Sequence, residues 1–175
     1  MRFYTVSDAY ISFLQQFDPK VPNNGGAAYK GRKLYIGVVL EIGGHKYFAP
    51  LSSYKAKQDK ISSSSCSLFK LHERGNENNK LGIISLNNMV PVPDSELVLL
   101  DLDGQDEQYK RMLLKQYEFI KESRDEIARR AAKLHNHVVV KRTPHFVLIS
   151  CDIPTLVDQA IKSALNKSQC VDLMG

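Results

Sequence analysis

The chain has 175 residues, 43% of them hydrophobic and 25% charged, proportions that belong to an ordinary folded domain and exclude disordered or fibrous classes. Three cysteines (Cys66, Cys151 and Cys170), odd in number and without a CxxC pair, argue against a disulfide framework or a zinc ribbon and suit a reducing cytoplasm. Twenty-four Lys and Arg against 19 Asp and Glu leave a net charge of +5, while no apolar run long enough for a membrane span and no secretion signal is present. A soluble, cytoplasmic chain forming one domain over residues 1–175 is expected.

Residues 2–6 read as a strand, and Ser7 as the cap of a helix with Tyr10, Phe13, Leu14 and Phe17 on its apolar stripe. Pro19 and Pro22 end that helix, and Asn23-Asn24-Gly25-Gly26 opens a loop. Leu34 to Ile42 is β-branched and apolar, a strand expected to be buried on both faces. Gly43-Gly44 joins it to His45–Leu51 as a hairpin, since both turn positions tolerate positive φ. Residues 52–65 read as a loop ending in four serines, followed by strands at 67–72, 81–86 and 97–102, with 73–80 as a turn and 89–93 as an irregular edge. From Gln105 to Leu134 no Gly or Pro interrupts a helical stripe, which is expected to bend near Ser123. Residues 138–140 and 146–149 read as β-like, and a last helix runs from Pro154 to about Leu165. The pattern is α+β: a small, barrel-like antiparallel sheet with helices packed on it.

The positive charge is uneven. Residues 20–60 hold eight Lys or Arg against Glu41 and Asp59, an excess greater than that of the whole chain. Tyrosines are interleaved with them. Such a window suits a polyanion such as nucleic acid, and it also suits a solvated lysine-rich face. Other strings carry less. His135-Asn136-His137 has no neighbouring acid or thiol to complete a metal shell. Asp101-Leu102-Asp103-Gly104 lacks the later ligands of a calcium loop and reads as a turn before a helix cap. No Walker, GxGxxG or GxSxG sequence occurs, so neither a metal nor an organic cofactor is expected. The exit of the hairpin, Pro50-Leu51-Ser52-Ser53-Tyr54-Lys55-Ala56-Lys57, combines two hydroxyls and two lysines just past a strand. Hydroxyls can donate to non-bridging phosphate oxygens, and an ammonium can neutralise charge that develops on them. Tyr29 and Lys33 flank the upstream strand on its loop side, and hairpin geometry brings that strand's start to the other's end.

Several strings together resemble the ToxN/AbiQ family, the endoribonuclease toxins of type III toxin–antitoxin and abortive-infection systems. They are Phe3-Tyr4-Thr5, Phe17-Asp18-x-Lys20-Val21-Pro22, Ile36–Ile42, Gly44-His45-Lys46-Tyr47-x-Ala49-Pro50-Leu51-x-Ser53-x-Lys55, Phe69–Glu73, Leu81-Gly82, Leu99–Leu102 and Tyr109-Lys110-Arg111-Met112-Leu113-x-Lys115-Gln116. They run in order over residues 3–120, and the likeness fades beyond. The resemblance implies a compact SH3-like, Kid/MazF-like barrel elaborated by helices. It implies metal-independent cleavage of cellular or phage RNA that leaves a 2′,3′-cyclic phosphate. Its inhibitor would be a repeated, pseudoknotted small RNA, closed with the toxin into a cyclic assembly. The family's active-site pattern falls on Tyr29, Lys33, Ser52, Ser53 and Lys55, with Ser52-Ser53-Tyr54 where the family often has Thr-Ser-Pro.

Cleavage by the RNA 2′-OH needs a base, a stabiliser of the charged phosphorane and an acid for the leaving 5′-oxygen. Lys55 is expected to stabilise the phosphorane, and Ser53 to position the scissile phosphate or relay a proton. Lys33 and Tyr29 would bind the adjacent phosphate, Ser52 would add a donor, and the base is unassigned. Lys20, Lys30, Lys46, Tyr54 and Lys57 are the expected RNA-binding residues of the basic window. Arg111 and Lys115, four apart on one helix, would form a further phosphate-binding rail. The alternative is a non-catalytic RNA-binding module that uses the same groove.

Overall fold

The structure, a computed structural model, describes residues 1–25 and 33–172. The expected roles of Tyr29 and Lys30 therefore fall outside the described residues. β1 (Arg2–Val6) leads into α1 (Asp8–Gln15), whose Ser7 cap accepts a hydrogen bond from the Tyr10 amide. Tyr10, Ile11 and Leu14 form its buried face, while Phe17, expected on that stripe, is 40% exposed because the helix stops two residues before it. β2 (Leu34–Ile42) and β3 (His45–Ser52) are the expected hairpin, and Gly43 and Gly44 both have positive φ.

Alternation along this hairpin explains why its strands read as apolar throughout. Ile36, Tyr47 and Ala49 face a core shared with the long helices, whereas Tyr35 and Phe48 face the core under α1. The Phe48 ring lies across its cross-strand partner Gly37, where a Cβ would sit 1.9 Å from a ring carbon. No larger residue fits there without moving that ring.

β4 (Phe69–Glu73) and β5 (Asn76–Ile84) form a second hairpin that turns at Gly75. The stretch 73–80, expected as a turn, is mostly strand, because its polar residues are paired by backbone and exposed at the side chain. Among the described residues β6 (Val90–Pro91) pairs with β3, and β7 (Leu97–Leu99) with β1. The path through the sheet is β4-β5-β3-β2-β1-β7, and all of its pairings are antiparallel. Among the described strands no pairing joins β4 to β7, so the expected barrel is not closed. The β4 side is occupied by a helix: Phe119 stacks on His72 at 4.1 Å and Lys115 pairs with Glu73.

That helix is α2 (Glu107–Glu122), capped by Asp106, and α3 (Arg124–His135) follows with the expected break at Ser123. Ile120, Ile127 and Leu134 are fully buried against the sheet, each contributing roughly 1.5–3 kcal/mol. Residues 138–140 and 146–149, expected to be β-like, are helical. Asn136–Val140 is a π-helical turn, and α4 spans Pro144–Ile149. Val138 is buried against the core in continuation of α3, and Pro144 occupies the first turn of α4, where its fixed φ suits a helix. Packing overrides the β-branched preference. α5 (Ile153–Asp172) begins at the expected place and runs longer. The sheet is thus covered by α2 and α3 on one face and by α1 and the start of α5 on the other. Among the described residues no helix is long and apolar enough to cross a membrane.

Candidate active site

The register of the first hairpin builds the site. Tyr35 lies opposite Pro50, so the same antiparallel register sets Lys33 opposite Ser52 at the open end of the ladder. The Lys33 ammonium donates to the Ser52 hydroxyl at 3.5 Å, and Lys33 is only 8% exposed. Its backbone N–H donates to the Asn24 carbonyl at 2.9 Å, which fixes the strand's entrance. Ser52 ends β3, flanked on its other side by Ile83 of β5. Ser53 and Lys55 follow in the extended segment and are exposed. Lys57 is exposed in the short 3₁₀ helix Ala56–Lys60. Four of the five expected catalytic positions are thus described, and they gather at the open end of the β2–β3 hairpin.

Neighbouring charges leave that end cationic. Asp59, the acid nearest in sequence, is engaged elsewhere: it accepts from the Tyr54 hydroxyl and pairs with Lys80 at 2.5 Å. These contacts hold the Asp59 carboxyl below its usual range, largest from Lys80 and then Tyr54. The hydrogen bond to Asp59 raises the Tyr54 hydroxyl, and Lys80 lies over the Tyr54 ring at 4.7 Å. Tyr54 is therefore half-buried and clamped, with an ammonium on one face of its ring. Among the described residues no carboxylate pairs with Lys55 or Lys57.

The remaining expected RNA-binding residues are dispersed. Lys20 donates to the Val147 and Ser150 carbonyls at 3.1 and 2.6 Å, closing the C-terminal end of α4. Beside it, buried Asp18 accepts from the Lys20 and Asp152 amides, so this motif ties the exit of α1 to the start of α5. Lys46 pairs with Asp94 at 2.7 Å at the opposite end of β3. Lys115 pairs with Glu73, which leaves Arg111 as the member of the exposed rail on α2 without a carboxylate partner among the described residues. The histidines have neighbours of their own: His135 packs edge-on against Tyr47, and His137 shares a hydrogen bond with Thr143.

Three supporting residues escaped the sequence reading. Gly82 has φ +145°, and a Cβ there would sit 2.8 Å from the Ser52 carbonyl oxygen and 3.2 Å from Gln116 Nε2. Gln116 is buried and donates to the Leu81 carbonyl at 2.7 Å, so α2 fixes the strand on which Ser52 rests. Gln58 is buried behind Lys55, and its side-chain oxygen accepts from the Lys55 amide. A lone glycine inside a strand and a glutamine inside an apolar stripe are legible signals of close backbone approach and of a buried hydrogen bond. Gln58 carries no such signal.

Comparison with known proteins identifies relatives along nearly the whole chain. The family model described as toxin ToxN of type III toxin–antitoxin systems matches residues 2–162, well past residue 120 where the motif resemblance fades. An endoribonuclease ToxN from Pectobacterium atrosepticum is 48% identical over 140 residues, covering 79% of this chain and 82% of the relative. The endoribonuclease AbiQ from Lactococcus lactis is 35% identical over 168 residues, covering 91% and 87%. Among solved structures, a chain from work on a processed non-coding RNA that regulates a bacterial antiviral system superposes with a TM-score of 0.86. It is 43% identical and covers 91% of this chain and 97% of its own. The structure of AbiQ, a lactococcal anti-phage endoribonuclease, superposes at 0.83 with 33% identity, covering 93% and 97%. With family-wide similarity along nearly the whole chain and a matching fold, this protein belongs to the ToxN family of type III toxin–antitoxin toxins.

Proposed function

We propose that the chain is an endoribonuclease toxin of an abortive-infection, type III toxin–antitoxin system, inhibited by a pseudoknotted non-coding RNA. The relatives are endoribonucleases by name, and one similar solved structure comes from work on selective toxin inhibition by a non-coding RNA pseudoknot. The single observation that carries the site assignment is the pairing of Lys33 with Ser52 at the hairpin exit, with Ser53 and Lys55 immediately beyond.

In the proposed reaction the RNA 2′-oxygen attacks the adjacent phosphorus. The P–O2′ bond forms, the P–O5′ bond breaks, and the products end in a 2′,3′-cyclic phosphate and a 5′-hydroxyl. The 2′-OH loses its proton and the leaving 5′-oxygen gains one. Lys55 neutralises charge developing on the non-bridging oxygens, as a cation aimed at the transition state does. Ser53 donates to the same phosphate. Lys33 and Ser52, already in contact, bind the neighbouring phosphate and fix the register of the chain. Lys57 of the 3₁₀ helix and Arg111 of α2 add exposed cations for the RNA backbone. The charge-neutralising and positioning roles are assigned to the chain's own groups; the base that takes the 2′-OH proton and the acid that supplies the 5′-oxygen are left unassigned. We read the sheet as an open relative of the SH3-like Kid/MazF architecture. One domain over 1–175 is supported by a core that runs from Phe3 to Ile153. A cyclic assembly of toxins bridged by RNA is proposed with it.

Purified protein, a transcribed messenger RNA and EDTA test the reading, with product ends analysed for the cyclic phosphate. Cutting by the wild type that is lost in Ser53→Ala and Lys55→Ala is the expected result. Cutting that persists in both variants overturns the site. RNA that is bound but never cut returns the non-catalytic binding module, and cutting only without EDTA overturns metal independence.

A further inference from the structure

We infer that Gln58 is the positioning residue for Lys55, an inference that rests on the role proposed above for Lys55. Lys55 occupies the cap position of the 3₁₀ helix Ala56–Lys60, with extended backbone at φ −130° and ψ 145°. Lysine is a poor choice there, since a cap is favoured when its own side chain accepts from the helix amides, as Ser, Thr, Asp or Asn can do. The ammonium has no acceptor to offer. The compensation comes from the other direction. Gln58, three residues on, accepts the Lys55 amide on its side-chain oxygen, while its own amide donates to the Lys55 carbonyl at 2.9 Å. This is half of a capping box, with the reaching-back glutamine present and the capping hydroxyl replaced by lysine.

Gln58 is also the one buried residue of that helix, only 6% exposed. Burying a carboxamide is unfavourable unless it is hydrogen-bonded, and a residue needed only for packing would serve better as Met or Leu. The segment is held on both sides of Lys55. Before it, the Tyr54 hydroxyl is bound by Asp59, and Asp59 is bound in turn by Lys80 of β5. After it, Gln58 fixes both backbone groups of Lys55 itself. The Lys55 side chain is exposed and has no carboxylate partner among the described residues, so its backbone alone sets where the ammonium points. A long, flexible side chain can reach one phosphate reproducibly only if its root is immobile, and a misplacement of about 1 Å can lower a rate a hundredfold.

The test compares wild type, Gln58→Met, Gln58→Glu and Gln58→Asn. Met keeps the shape without the acceptor, Glu keeps an acceptor oxygen at the same reach, and Asn falls one carbon short. Single-turnover cleavage of one transcribed messenger RNA at saturating enzyme gives the rate. Retention of a 2′-fluoro copy, which cannot be cut, gives binding. Gln58→Met and Gln58→Asn are expected to cut about 10–100-fold more slowly while retaining the 2′-fluoro RNA as the wild type does. Gln58→Glu is expected to recover most of the rate. Wild-type cutting by both Met and Asn variants, equal slowing by all three, or slowing matched by lost retention overturns the positioning role. Should Gln58→Met fail to fold, the contrast between Glu and Asn decides alone. Lys55→Ala measured alongside keeps the two readings apart: if it cuts normally, the assignment of Lys55 has failed. If it is inactive while Gln58→Met is normal, only the present inference has failed.

Discussion

The two ends of β3 are built from the same basic stretch of sequence and end up chemically opposite. At the Ser52 end, Lys33 faces a hydroxyl, Lys55 and Lys57 have no carboxylate partner among the described residues, and Asp59 is held by Lys80 and Tyr54. At the His45 end, Lys46 is paired with Asp94 beside a shallow cleft formed by the Gly43-Gly44 turn, Pro91–Asp94 and α5. A count of cations over residues 20–60 takes in both ends without separating matched from unmatched charge. Phosphate binding distinguishes them, because what binds RNA is positive charge that the fold has not already matched with an acid. The backbone is arranged to the same effect: the Ser52 end is buttressed by two buried glutamines, Gln58 and Gln116, whereas the other end is a plain two-glycine turn.

The largest effect should come from exchanging the two lysines for alanine. Lys55→Ala is expected to lower single-turnover cleavage by roughly a hundredfold or more, and Lys46→Ala by less than about threefold, given the small worth of an exposed ion pair. Rates measured on one transcript under identical salt check this directly. Equal losses would dissolve the distinction between the ends.

Glycine substitutions sharpen the comparison at the level of the backbone. Gly82→Ala imposes φ +145° on an L-residue and drives its Cβ to 2.8 Å from the Ser52 carbonyl. Gly44→Ala imposes φ +78° with nothing within 4 Å of the new carbon. Denaturant melts should show a loss of about 2–4 kcal/mol at Gly82, where strain and overlap combine, and about 1 kcal/mol at Gly44, where only strain acts. Cleavage should fall with Gly82→Ala beyond what the lost folded fraction explains, and should be unchanged in Gly44→Ala. A cleavage defect in Gly44→Ala would extend the functional surface to the far end.

How much of this was legible beforehand differs between local and long-range features. The hairpin at Gly43-Gly44, the cap at Ser7 and the break at Ser123 depend on residues within a few positions of one another, and they formed as their chemistry dictates. That the start of one hairpin strand comes near the end of the other was readable, but the pairing of Lys33 with Ser52 was not, because a bulge between Gly37 and Leu40 shifts the register that the turn sets. Residues 138–140 and 146–149 were misread because Val138 is helical only by virtue of a core assembled from distant segments. The partners of Lys20, Lys46 and Lys115 were invisible for a related reason: Ser150, Asp94 and Glu73 are far away in sequence. Charge can be counted along a chain, and neutralisation cannot.

The smallest expected effect concerns the paired, structural side of β3, where acid should act on stability and not on chemistry. His135 lies under the strand, edge-on to Tyr47 at 5.8 Å, and burial holds its imidazole below the usual range. The folded state therefore favours the neutral ring, while an unfolded chain binds a proton once the pH falls below about 6.5. The unfolded state then holds more protons, so the contribution of His135 is complete above that value. It is lost progressively as the pH drops toward the lower, folded-state value. Melting temperatures of the wild type and His135→Phe, followed from pH 8 to pH 5, isolate this residue, because every other titrating group is common to both. The wild type should lose more of its melting temperature than the variant as the pH falls. Parallel curves would mean that His135 is charged in the fold and that its packing on Tyr47 tolerates the proton. A single-turnover cleavage profile that changed with His135→Phe at constant folded fraction would instead draw the structural end into the chemistry of the other.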